Sequence, residues 1–175
     1  MIMINNTAHY VNQYHDVLDR PETPNVKEQE RTCNICCVAM ITGEDVNDIF
    51  QWFVDKYGWN DKFQTEECII PYLNVRGFKA EALTVNTWPK SWKPTQAEID
   101  KMIDAIDRGC WVLYHKFGHY QLMVGHDGDD LIFNDPAGDR RLPVNERARE
   151  SGHLVAYPRS MIMNEPRFGR CWAVS

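Results

Sequence analysis

An α+β fold, with helices leading and an antiparallel sheet following, is what this sequence predicts. Three observations carry it. Between residues 33 and 109 apolar residues recur at helical spacing. From Cys110 onward the period shortens to that of strands. Gly43, Gly58, Gly77 and Gly109 stand just past the successive helical stretches, where a left-handed C-terminal residue is favoured. A helix and a sheet each bury one apolar side, so packing one on the other closes a core. The 175 residues suit a single domain, 1–175, without internal repeats or low-complexity segments.

Residues 1–31 are polar, with Pro21 and Pro24 bracketing an acidic patch, and read as an extended lead-in with a loop. Cys33 to Ile41 forms a short apolar helix stopped at Gly43. Val46, Ile49, Phe50, Phe53 and Val54 share one face of a second helix, closed by Gly58. A third spans Glu66 to Val75, kinked at Ile70-Pro71 because proline lacks the N–H that a helix interior uses. Residues 84–94 carry Trp88-Pro89, Trp92 and Pro94 and form an aromatic-rich loop. Thr95-Gln96-Ala97-Glu98 matches a capping box and opens a helix through Ile99, Met102, Ile103 and Ile106. Cys110 to His115, His119 to His126 and Leu131 to Asn134 follow as strands, with Asp127-Gly128 as a turn, and Arg170 to Val174 adds a last one.

Composition narrows the function classes. The hydrophobic share of 43% and charged share of 25% are those of an ordinary globular protein. A net charge of −6 argues against nucleic acid as a partner, since phosphate binding needs a basic surface. No apolar run approaches the roughly 20 residues of a membrane helix, so no membrane insertion is expected. Met1-Ile2-Met3-Ile4 is followed by Asn5-Asn6 without a basic region, unlike a signal peptide. The expectation is a soluble, cytoplasmic monomer.

Without a secretory signal, the six cysteines do not suggest a disulfide framework. Cys33-x-x-Cys36 resembles a thioredoxin-like pair or half of a zinc site, but Cys68, Cys110 and Cys171 are isolated in sequence. No metal is expected. Cys36 and Cys37 read as small buried packing residues, which leaves a chemical role to Cys33. It stands where a polar stretch gives way to the first turn of an apolar helix. The backbone N–H groups and the helix dipole there favour a thiolate.

Far downstream come Gly118-His119-Tyr120 and Asn134-Asp135-Pro136. Acyl transfer by cysteine needs a thiolate, an imidazole, a group orienting that imidazole and donors for the oxyanion, with no cofactor. Cys33, His119 and Asp135 supply the first three in that order. Strand register tests the pairing of His119 with Asp135. A two-residue loop at Asp127-Gly128 would set Tyr120 opposite Asp135 and turn His119 away. An odd-length loop or a bulge sets Gln121 opposite Asp135, with His119 on the same face one diagonal step off. Asn134 is the rival orienting group, but neighbouring strand residues point to opposite faces, so only one of the two can serve. His9, His15, His115, His126 and His153 read as ordinary surface or core residues. Of Trp88, Trp92 and Trp111, at most one is expected in a substrate cleft.

The segments Gln13-Tyr14-His15-Asp16, Thr32-Cys33-Asn34 with Val38-Ala39-Met40, Gly118-His119-Tyr120 and Asn134-Asp135-Pro136-Ala137 resemble those of the C39-like cysteine peptidases of bacteria and phages. Cys36 and Cys37 stand where that family usually has small hydroxyl residues. The resemblance implies a papain-like cysteine peptidase fold, with the nucleophile helix packed on a C-terminal antiparallel sheet. It assigns the orienting role to Asp135 and an oxyanion-stabilising glutamine to Gln13, with Gln29 as the alternative nearer Cys33. It also implies hydrolysis of peptide or amide bonds through a thioester. The substrate it suggests is the peptide part of bacterial peptidoglycan, cut by a phage-type endolysin that reaches the wall through a separate pore. The alternatives are a protease acting on a host or phage protein and an inactive papain-like module that binds a partner. The complete Cys/His/Asp set counts against the last.

Overall fold

A computed structural model describes residues 2–7, 9–18, 32–58, 66–84, 93–116, 118–166 and 168–175. Pro21, Pro24, Gln29, Trp88 and Trp92, singled out above, lie outside the described residues. Helix α1 (Cys33–Thr42) is followed by α2 (Val46–Tyr57), α3 (Glu66–Val75) and α4 (Gln96–Asp107). A short strand, β1 (Ile2–Ile4), precedes them, and β2 (Ala80–Ala82) lies between α3 and α4. Strands β3 (Trp111–Lys116), β4 (His119–Asp127), β5 (Asp130–Asn134), β6 (Val155–Pro158) and β7 (Phe168–Val174) complete the sheet, with helix α5 (Arg159–Met163) between the last two. The α+β arrangement expected above is the one observed.

Local chemistry accounts for the helix ends. Asp45 caps α2 by accepting from the Asn47 N–H at 2.8 Å. Thr95 and Glu98 close both halves of the capping box on α4. Gly43 ends α1 at φ 75°, a left-handed backbone that residues with a Cβ avoid. Pro71 lies inside α3 with an exposed side chain.

All the sheet pairings are antiparallel, in the order β2-β7-β3-β4-β5-β6, with β1 pairing β4 beyond the end of β3. Both faces are covered. On one face α1, α2 and α3 pack over Leu113, Leu122, Ile132 and Trp172. On the other, α4 and α5 pack over Val112, Met123, Phe133 and Tyr157. The central strands are buried continuously rather than alternately, as strands covered on both faces require. Every residue of α1 from Cys33 to Ile41 is buried. It is a core rod held by α2, α3 and β4, which pins its first residue in place. No helix among the described residues is long and apolar enough to cross a membrane.

The β4–β5 hairpin carries a bulge. At its tip Asp127 pairs Asp130 and His126 pairs Leu131, around a two-residue turn at Gly128 and Asp129. Between Met123 and Gly125 the register shifts by one residue, leaving Val124 unpaired. Beyond the bulge Met123 faces Phe133 and Leu122 faces Asn134. Continuing one step brings Gln121 opposite Asp135, the register that places His119 on the Asp135 side.

Candidate active site

Four segments meet around Cys33. This residue begins α1 and is 4% exposed, and its sulfur accepts the Tyr120 N–H at 3.3 Å. That bond ties the start of the helix to the start of β4. Thr32, the N-cap residue, makes no side-chain capping bond, so the first-turn N–H groups of α1 are not consumed by one.

His119 enters β4 through a tight turn in which Gly118 takes φ 80°, and it sits directly opposite Lys116 on β3. Its Nε2 lies 2.7 Å from Asp135 Oδ1, and the next residue along, Tyr120, binds the Cys33 sulfur through its N–H. With Nε2 on the carboxylate, Nδ1 is the ring nitrogen not used by Asp135. Burial disfavours the imidazolium. The charge and hydrogen bond of Asp135, then the contact with Cys33, outweigh it and raise the group to about 9.

Asp135 is fully buried. Burial pushes its carboxyl upward, but the His119 charge and hydrogen bond, the Gln121 amide and the Ala137 N–H prevail and hold it below the usual carboxylate range. Oδ1 takes the Ala137 N–H at 3.0 Å besides His119, and Oδ2 takes Gln121 Nε2, with the Tyr157 hydroxyl at 3.4 Å. The backbone around it is clamped too. Its N–H donates to Gly152 O at 2.8 Å, and its carbonyl accepts the Tyr10 hydroxyl at 2.7 Å. Asn134 points elsewhere: its Nδ2 donates to Thr7 Oγ1 and its Oδ1 accepts the Leu154 N–H.

Gln13 lies in a turn built by its neighbours. Asn12 Oδ1 accepts the Tyr14 N–H, Asp16 Oδ2 accepts the Asn12 N–H, and Arg149 pairs with Asp16 Oδ1. The Gln13 N–H donates to Pro136 O at 2.9 Å, fastening this turn to the loop that follows Asp135. The residue is 2% exposed, and among the described residues its side-chain Oε1 has no hydrogen-bond partner. That oxygen is an acceptor, so what the fold leaves unused at Gln13 is a place for a donor.

Two residues at the site escaped sequence analysis as participants. Gln121 and Tyr157 both face the Asp135 carboxylate. Gln121 could have been found, because it lies two residues past His119 on the same strand face and is opposite Asp135 in the required register. Tyr157 belongs to a strand that the sequence analysis did not identify.

The remaining residues have structural surroundings. Cys36 and Cys37 are fully buried in the core, and burial, then the neighbouring Cys33, pushes both thiols well up. Cys68 lies in the core on the α1 face, and Cys110 and Cys171 in the one opposite. His115 stacks on Tyr120, with ring centres 4.2 Å apart, and burial pushes it down to about 4. His126 pairs with Asp107 at 2.8 Å, and His153 stacks on Tyr10. Trp111 donates to the Asn5 carbonyl at 3.2 Å and packs on the core. A pocket of about 260 Å³ beside Asn134, Thr7 and Leu154 includes none of Cys33, His119, Asp135 and Gln13.

Comparison with protein families finds no match, and comparison with curated proteins finds none either. Among solved structures, the chain is similar to a double glycine motif protease from an AMS/PCAT transporter, determined in complex with the leader peptide. The identity is 15% and the TM-score 0.49, over 99% of this chain and 97% of that one.

Proposed function

We propose that this protein is a cysteine peptidase or amidase, with Cys33 as nucleophile, His119 as general base and acid, Asp135 as the group orienting His119, and Gln13 as an oxyanion donor. The observation that carries the reading is the His119 imidazole paired with the buried Asp135 carboxylate at the start of β4, where the adjacent Tyr120 N–H binds the Cys33 sulfur. A thiol–imidazole–carboxylate chain of this kind transfers the thiol proton and presents sulfur to a carbonyl carbon. The C–N bond breaks with His119 returning the proton to the leaving nitrogen, and water then hydrolyses the thioester. The donors we assign to the developing oxyanion are the first-turn N–H groups of α1 and the Nε2 group of Gln13.

The substrate we propose is the peptide part of bacterial peptidoglycan, supported by the resemblance of the four sequence segments to C39-like peptidases of bacteria and phages. Purified protein is incubated with peptidoglycan and, in parallel, with denatured casein, and the fragments are identified by mass spectrometry. Soluble muropeptides with newly formed amino termini are expected from wild type and not from Cys33→Ala. Cleavage of casein alone would transfer the reading to a protease of protein substrates. No cleavage of either, with no preferential alkylation of Cys33, would refute the assignment of the site.

A further inference from the structure

Beside His119 lies a group of charges that the chemistry above does not use. Lys116 is directly opposite His119 across the β3–β4 pair, which sets their Cβ atoms about 5 Å apart on one face. Lys116 Nζ meets Glu165 Oε1 at 2.7 Å, and Arg140 Nη1 binds that same oxygen. Glu165 Oε2 accepts the Tyr114 hydroxyl at 3.1 Å. Two cations therefore share one carboxylate. The other nearby acids are engaged, Asp135 by His119, Gln121 and the Ala137 N–H, and Asp139 by Arg141. One positive charge is left over.

Burial decides where that surplus is felt. The Arg140 and Glu165 side chains are 9% and 11% exposed, against 22% for Lys116. The Arg140 guanidinium lies over the Tyr157 ring, 4.2 Å from its centre, and among the described residues its Nε and Nη2 have no acceptor. Arg140 is sealed in, and Lys116 is the end of the group that solvent and ligands reach.

The direction of the substrate follows from the proton. A histidine that protonates the leaving nitrogen must have that nitrogen beside it, so the leaving half of the substrate passes over the β3–β4 end of the sheet. The acyl half lies toward Cys33 and Gln13. We infer that Lys116, backed by Glu165 and Arg140, selects substrates carrying a carboxylate within the first residues of the leaving half. This rests on the hydrolase reading of Cys33 and His119 and adds to it a preference for an acidic leaving group. Lys116 is a specificity residue here, with no part in bond breaking.

The test uses three peptides built on a sequence that wild type cuts, differing only in Glu, Gln or Lys immediately after the scissile bond. Wild type is expected to favour Glu over Gln by roughly fivefold to tenfold in kcat/KM, as one partly exposed ion pair allows, and to disfavour Lys. Lys116→Met should abolish the preference, bringing the Glu and Gln peptides to equal kcat/KM. Added salt should erode it in wild type itself, which needs no variant to fold. Equal cleavage of all three peptides, or a preference indifferent to both Lys116→Met and salt, would overturn this inference alone. A protein that cuts no peptide at all overturns it together with the hydrolase reading.

Discussion

Replacing Asp135 with asparagine removes the charge that keeps His119 protonated. The ring is raised from its ordinary value of 6.5 to about 9, against the effect of its own burial. At about 1.4 kcal/mol per pH unit, this corresponds to roughly 3 kcal/mol in favour of the imidazolium. Because the folded value lies above the unfolded one, that stabilisation is complete below pH 6.5 and disappears as the pH rises through about 9. Asp135 is held low, so on the acid side the interaction persists until the carboxylate protonates, below the usual range near 3.9. The substitution also costs acceptors. The carboxylate receives His119, Ala137, Gln121 and Tyr157, and an amide nitrogen accepts none of them. A buried donor stranded in this way costs about 1–3 kcal/mol. Asp135→Asn should therefore lose roughly 3–5 kcal/mol near pH 6 and distinctly less near pH 10, where the imidazolium is gone in both proteins. Denaturant titration at the two pH values measures the difference, and NMR titration of the imidazole protons follows His119 directly. Its midpoint should fall from about 9 to 6.5 or lower. An unchanged midpoint, or an equal loss of stability at both pH values, would show that Asp135 does not hold the histidine charged.

Gln13→Ala should lower turnover by about 10²–10³-fold with little change in thermal midpoint, since Oε1 has no partner among the described residues; a large midpoint drop with turnover intact would make Gln13 structural. Cys36→Ser buries a hydroxyl in an apolar core and should cost about 1–3 kcal/mol, while the folded variant turns over normally; a folded but inactive variant would move the chemistry to Cys36. Thr95→Ala removes the capping box of α4 and should cost about 0.5–2 kcal/mol in denaturant titration, again without effect on turnover.

The helices were legible because their signals are local. Thr95 and Glu98 lie three residues apart, and Gly43 and Gly58 stand at the ends they mark. Three central strands were legible from apolar runs, although β3 extends to Lys116 rather than ending at His115, and β7 starts at Phe168 rather than Arg170. What sequence reading missed depends on distant partners. β1 and β2 are three residues each and mostly exposed, so no periodic pattern announces them. β6 is defined by its pairing with Asp130 to Phe133, and α5, at five residues, is shorter than two helical turns. At the site, the need for a bulge or an odd loop followed from counting residues between His119 and Asp135. Its position at Val124 did not, since either device restores the same register. Gln121 and Tyr157 were hidden for a related reason: a buried polar residue in a strand declares its partner only once the neighbouring strands are in place.

Sulfur and imidazole come from different layers of this molecule, Cys33 from a helix buried on every side and His119 from the sheet beneath it. The reacting distance is thus a dimension of the interior rather than of a surface loop. A closely packed interior resists compression and transmits small displacements, so a methylene removed from Ile35 or Met40, both buried in α1, shifts the Cys33 thiol relative to the sheet. On the proposed chemistry, turnover would gauge how densely α1 is seated and register a loosened core before unfolding does.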